Sequence, residues 1–130
     1  MAGSLYLLFN HQLTDIQKAD AHASLAVQCI IDLPLDLKQL WRQMPPDMPE
    51  IDAYLAPIKA WLSEQTSSGD YVLIQGDFGA CYIMVNFAFE LGLVPVYSTT
   101  RREALENHEP DGAVSLRHQF RHRIYRKYEA

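Results

Sequence analysis

The sequence has only two cysteines, Cys29 and Cys81, in 130 residues, and no Cys-x-x-Cys pair. Neither has a histidine at metal-ligand spacing, which excludes a zinc ribbon and a disulfide framework. Both thiols sit among apolar neighbours and are expected to be buried and reduced, as in a cytoplasmic protein. The five histidines form no His-Glu-x-x-His motif, so neither a metal nor a cofactor is expected. No apolar run approaches the roughly 20 residues of a membrane span, and no membrane partner is expected. The opening Met-Ala-Gly-Ser lacks the basic and apolar regions of a secretory signal. No Gly-x-x-x-x-Gly-Lys-Ser/Thr or Gly-x-Gly-x-x-Gly motif is present, which removes two common phosphate-binding loops.

Positive charge is also scarce: 11 Lys and Arg face 16 Asp and Glu, a net of −5. The deficit is uneven. Residues 1–112 carry 6 basic and 15 acidic side chains, whereas residues 113–130 carry five basic residues and only Glu129 as an acid. A basic tail on an acidic body is either a solvated strand or a contact for an anionic partner.

What remains is ordinary for a globular chain, 48% hydrophobic and 21% charged. The length fits one domain, 1–130, able to bury roughly two-thirds of its unfolded surface. Within it, residues 1–100 read as a βα core and 101–130 as a C-terminal hairpin.

Ser4 to Phe9 is an almost continuous apolar run, as for a strand buried on both faces. Thr14-Asp15-Ile16-Gln17 has capping-box spacing and predicts a helix over about 15–24. A second apolar run, 26–33, stops at Pro34. Residues 35–42 predict a short helix, broken by Pro45-Pro46. Ile51, Tyr54, Leu55, Ile58, Trp61 and Leu62 form one helical stripe, with a kink or restart expected at Pro57. Tyr71 to Gln75 and Leu93 to Tyr97 read as strands. Between them, 79–91 is apolar nearly all round, as in a helix buried between layers or at an interface. Glu109-Pro110-Asp111-Gly112 signals a hairpin turn. The following strand should point Val114, Leu116, His118, Phe120, His122, Ile124 and Tyr125 inward and its arginines outward.

Alternating strands and helices with short loops imply an α/β fold: a mostly parallel sheet, helices on both faces, and an antiparallel hairpin at the C-terminus. Ligands of such sheets sit outside the carboxyl ends of the strands. Three segments are expected there. Asn10, His11 and Gln12 bring a side chain that titrates near neutrality. Gln75-Gly76-Asp77-Phe78-Gly79 is a glycine-containing turn into a helix, where backbone amides suit a phosphate and Asp77 suits a cap. Ser98, Thr99, Thr100, Arg101 and Arg102 gather hydroxyls and guanidiniums at one strand end, a set that matches phosphate oxygens. Each has a plainer structural reading as well: a loop histidine, a capped turn and a dibasic surface pair.

Leu8-Phe9-Asn10-His11-Gln12-Leu13-Thr14, Gly69 through Ala80, Met84-Val85-Asn86-Phe87-Ala88, Thr99-Thr100-Arg101-Arg102 and Phe120-Arg121-His122 to Tyr128 together carry a resemblance. The chain resembles the Csx-twenty family of small proteins associated with type III CRISPR systems, over nearly its whole length. Gln-Gly-Asp-Phe-Gly-Ala is the most specific of these pieces. The resemblance implies a Rossmann-like domain related to the CARF sensors of cyclic oligoadenylates. It implies a ring nuclease that degrades cyclic tetra-adenylate and ends the antiviral signal. A homodimer would present the same site twice to a near-fourfold ring, and no long nucleic acid is required.

By position, His11, Arg101 and Thr100 are the expected catalytic group. Asn10, Gln12, Gln75, Gly76, Asp77, Phe78, Gly79, Ser98, Thr99 and Arg102 are the expected ligand contacts. The expected chemistry is metal-independent attack by a ribose 2′-hydroxyl on its neighbouring phosphate. The alternatives are a non-catalytic sensor or sponge for the same ligand, and a linear-RNA binder acting through the basic tail.

Overall fold

The computed structural model describes residues 3–130; side chains at Glu103, Leu105, Asn107 and 115–119 lie outside the description. The inward or outward facing expected of Leu116, Arg117 and His118 therefore falls outside the described residues. The chain order is β1 (Ser4–Leu8), α1 (Asp15–Ser24), β2 (Cys29–Ile31), α2 (Leu35–Arg42), α3 (Ala56–Gln65), β3 (Tyr71–Ile74), α4 (Phe78–Glu90), β4 (Val94–His108) and β5 (Val114–Lys127). The sheet runs β2-β1-β3-β4-β5. β1 pairs in parallel with β2 and β3, β3 with β4 likewise, and β5 closes the sheet antiparallel to β4. This is the mixed α/β, mostly parallel sheet that the pattern implied. The strand order reverses at β1, so the switch point lies between the carboxyl ends of β1 and β3.

Alternation along the strands divides the core. Leu5, Leu7, Leu73, Val96 and Tyr125 face α1 through Ala21, with Leu13 and Val27. Tyr6, Leu8, Val72 and Ile74 face the other side, against Trp41, Leu55, Ile58, Leu62, Met84 and Ala88. Three helices thus cover one face and α1 alone covers the other.

Local signals explain several boundaries. Thr14 Oγ1 accepts from Gln17 N at 3.2 Å, and Gln17 Oε1 accepts from Thr14 N at 2.9 Å, closing the capping box. Pro57 produces a restart: Ala53–Leu55 is a 3-10 turn, and α3 begins with the proline in its first turn. Asp77 caps α4 by accepting from Ala80 N at 3.0 Å.

Three expectations are corrected. Cys29 is exposed, because β2 is a short edge strand; Cys81, in the first turn of α4, is half-buried. Strand β4 does not stop near Tyr97 but continues to His108. Pairing with β3 covers only Val94–Val96, so from Tyr97 onward β4 has β5 as its partner and the two form a projecting ribbon. At about 3.4 Å per residue, 97–108 extends roughly 40 Å. The inward row of β5 is also broken. Val114, Phe120 and Ile124 are exposed, while Tyr125 is buried. A register shift between Ser98 and Thr100 changes the facing of the side chains along the ribbon.

Candidate ligand-binding site

The parallel strands end at a common edge. Gln75 N donates to Leu8 O at 3.1 Å, so the segment after β3 lies beside the segment after β1. Asn10, His11, Gln12, Gln75, Gly76, Asp77 and Phe78 are thus brought to one end of the sheet. The ribbon carries Thr99, Thr100, Arg101 and Arg102 past that same edge rather than placing them in a loop. Thr100 pairs with His122, Arg101 with Arg121, and Arg102 with Phe120.

The members differ in what they do. His11 is exposed, its ring edge-on to Phe9 at 5.5 Å. No hydrogen bond or ring contact joins it to Arg101 or Arg102 among the described residues, and β3 separates their strands. Arg42 donates from Nη2 to Asn10 O at 3.0 Å, bracing the loop. Asn10 Oδ1 is buried and has no hydrogen-bond partner among the described residues. Thr99 Oγ1 accepts from Ile124 N and donates to Ile124 O, filling the irregular step at the ribbon base. Thr100, Arg101 and Arg102 are exposed.

Gly76 serves packing, not the positive φ that a phosphate cradle suggests. A Cβ there would lie 2.9 Å from Trp41 Nε1. Trp41 is buried, and its indole donates to Gln75 O at 3.0 Å. Only Gly69, Gly92 and Gly112 among the glycines have positive φ. The indole thus occupies the space beneath the turn.

Beside the turn a groove of about 660 Å³ runs between α4 and the C-terminal residues. Its walls include Gln75, Gly76, Phe78, Tyr82, Tyr97 and Tyr128. Phe78 is 95% exposed and Tyr82 73% exposed, unusual for large apolar rings on a helix. Tyr128 packs on Tyr97 at 4.8 Å and donates its hydroxyl to Ile74 O at 2.7 Å. Burial pushes the Tyr128 phenol up to about 12, so it remains a neutral donor at physiological pH. Burial likewise pushes the Cys81 thiol up to about 11.

Ser98, expected among the ligand contacts, is buried and faces α1 instead. Its hydroxyl lies 2.5 Å from His122 Nδ1, and His122 Nε2 lies 2.6 Å from Asp20 Oδ2. Gln17 Nε2 donates to Ser98 Oγ at 3.3 Å, and Tyr125 donates its hydroxyl to Gln17 O at 2.8 Å. These contacts have the order of a hydrolase triad, but access is inverted. Ser98 is 7% exposed, the imidazole 2% and the carboxylate 25%, so the hydroxyl is buried and the acid is the most exposed of the three. A nucleophile needs the opposite arrangement. The group is a clasp joining α1 to the ribbon base. Reading along the chain missed it, because its members are 24 and 102 residues apart and share no motif spacing.

The fold is that of an open, mostly parallel α/β protein with an antiparallel C-terminal hairpin. Over residues 3–126 the chain matches the Uncharacterized protein MJ1673 family, and it belongs to that family. It is 49% identical over 124 residues to Uncharacterized protein MJ1673 of Methanocaldococcus jannaschii, covering 95% of each chain. No solved structure matches it. Among the described residues, no helix is long and apolar enough to cross a membrane.

Proposed function

We propose that this chain is a ring nuclease, binding cyclic tetra-adenylate across the carboxyl edge of a homodimer and opening the ring. The choice of ligand comes from the sequence resemblance. What supports the reading in the structure is the aromatic groove beside the Gln75-Gly76-Asp77 turn at the switch-point end of the sheet. Exposed rings such as Phe78 and Tyr82 are stacking platforms for bases. Arg101 and Arg102, exposed on the ribbon past the same edge, offer charged partners to phosphates despite the net negative charge.

The ribbon supports the dimer. A two-stranded ribbon is marginal in water by itself, and this one exposes Val114, Phe120 and Ile124. A second copy packed on it covers those side chains and repeats the groove about a twofold axis.

The reaction needs only the chain's own groups. The ribose 2′-oxygen attacks the adjacent phosphorus, its proton passes to a base, and the P–O5′ bond breaks as the 5′-oxygen gains a proton. The products are linear with a 2′,3′-cyclic phosphate. His11 takes the proton, while Thr100 and Arg101 stabilise charge on the phosphoryl oxygens. Sedimentation and calorimetry test the binding step. One ring per two chains is expected, with affinity lowered about 10–100-fold in Arg101→Ala. A monomeric protein that leaves cyclic tetra-adenylate unbound overturns the reading.

A further inference from the structure

Two apolar surfaces of this chain are left uncovered, and they lie on opposite sides of the sheet. The first is the outer face of α4. Ala80, Met84 and Ala88 turn into the core. Phe78, Tyr82, Val85 and Phe89 recur at helical spacing on the far face of the same helix and line the groove. The second surface is one face of the ribbon. His122 turns toward α1, where it meets Asp20. The register runs unbroken from His122 to Val114, so alternation puts Phe120 and Val114 on the α1 side as well. Phe120 is 68% exposed, and it stands directly across from Arg102, which is exposed too. Because α4 and α1 pack on opposite sides of the sheet, the Phe120 face turns away from the groove of its own chain.

Charge decides what fits each surface. The groove wall includes Glu129 and, among the described residues, no Lys or Arg. Asp77 and Glu90 stand at the two ends of α4. Strand β5 carries five basic side chains and no acid. Two ribbons laid on each other would oppose like charges, whereas a ribbon laid on the groove opposes unlike ones.

We infer that two copies of this chain exchange their ribbons: Phe120 and Arg102 of each copy seat on the Phe78–Tyr82 face of the other about a twofold axis. An aromatic ring beside a guanidinium is the composition enriched at the centre of interfaces. The groove is then half of a site, and the partner subunit roofs it. The exchange supplies the homodimer that the ring-nuclease reading requires, and it rests on that reading only for what the groove holds.

Sedimentation of wild type, Phe78→Arg, Phe120→Glu and the double variant tests the contact without any ligand. Both positions are exposed, so these substitutions leave the fold in place. Wild type should be a dimer. Phe78→Arg sets a cation against Arg102, and Phe120→Glu sets an anion against Glu129; each should weaken the dimer about 10–100-fold. The double variant places opposite charges across the contact and should recover about tenfold over either single variant. Losses that simply add in the double variant overturn the exchange, and so does a monomeric wild type. As a second measurement, Phe78→Cys and Phe120→Cys proteins, each also carrying Cys29→Ser, are mixed and air-oxidised. The mixture should yield a disulfide-linked dimer that neither protein forms alone. No linkage in the mixture, or equal linkage in either protein alone, overturns the exchange. Cyclic tetra-adenylate separates the two readings. An exchanged dimer that leaves the ring unbound supports the exchange and overturns the ring reading. A ring bound and opened by a protein whose dimer ignores both substitutions overturns the exchange and leaves the ring reading standing.

Discussion

His122 Nε2 lies 2.6 Å from Asp20 Oδ2, tying the base of the C-terminal ribbon to the first helix across 102 residues of sequence. Hydrogen bonding from the Ser24 hydroxyl, then from His122, together with the nearby charges of His122 and Arg123, holds the Asp20 carboxyl below its usual value; partial burial opposes this. A depressed carboxylate adds stability above its ordinary titration range, near pH 4, and loses it as pH falls through the depressed value. Asp20→Asn should therefore lower stability by about 1–3 kcal/mol at neutral pH. The gap to wild type should narrow as pH falls below about 4. Thermal unfolding from pH 7 to pH 3 measures both. Parallel pH curves would remove the charge from the account.

Gly76→Ala should destabilise the fold by about 1–3 kcal/mol, since the new methyl meets the Trp41 indole at 2.9 Å. Combining it with Trp41→Phe should recover part of that loss, as expected of residues in direct contact. Denaturant titration of the four proteins gives the coupling; strictly additive losses would mean the two positions do not share this contact.

Thr14→Ala removes the side-chain half of the capping box and should cost about 1 kcal/mol. Its backbone amide remains, so Gln17 keeps the oxygen anchor that orients it toward Ser98. The His122 tautomer should be unchanged in this variant, and nitrogen-15 shifts of the ring check it.

The two thiols should react in a fixed order. Cys29 is exposed, whereas Cys81 is half-buried with its thiol pushed up to about 11. The thiolate is the reactive form, so at pH 8 alkylation should label Cys29 well before Cys81. Mass spectrometry of peptides over time reads the order directly, and simultaneous labelling would contradict the burial of Cys81.

Much of the architecture could be read along the chain because its causes are local. The Thr14–Gln17 box, the Asp77 cap and the Pro57 restart each involve residues within one helical turn. The strands β1 and β3 are short apolar runs that only a doubly covered sheet accommodates. The hairpin was legible from its turn at 109–112, but the unbroken run of β4 from Val94 to His108 was not, because residues 97–108 mix hydroxyls and charges with no apolar alternation to mark a strand. Gly76 was misleading for a related reason: the indole that demands a glycine comes from Trp41, on another helix. The clasp lay furthest from view. Nothing near Ser98 in sequence announces His122 or Asp20, and only the folded sheet brings α1 across to the ribbon.

The central claim is that this chain opens cyclic tetra-adenylate without a metal. It is tested most directly by mixing excess protein with the ring in EDTA and following the products by chromatography and mass spectrometry. The account predicts linear oligoadenylates ending in a 2′,3′-cyclic phosphate, formed markedly more slowly in His11→Ala. Ring that stays intact after long incubation would contradict it, and intact ring that is nevertheless bound would make the protein a sensor or sponge.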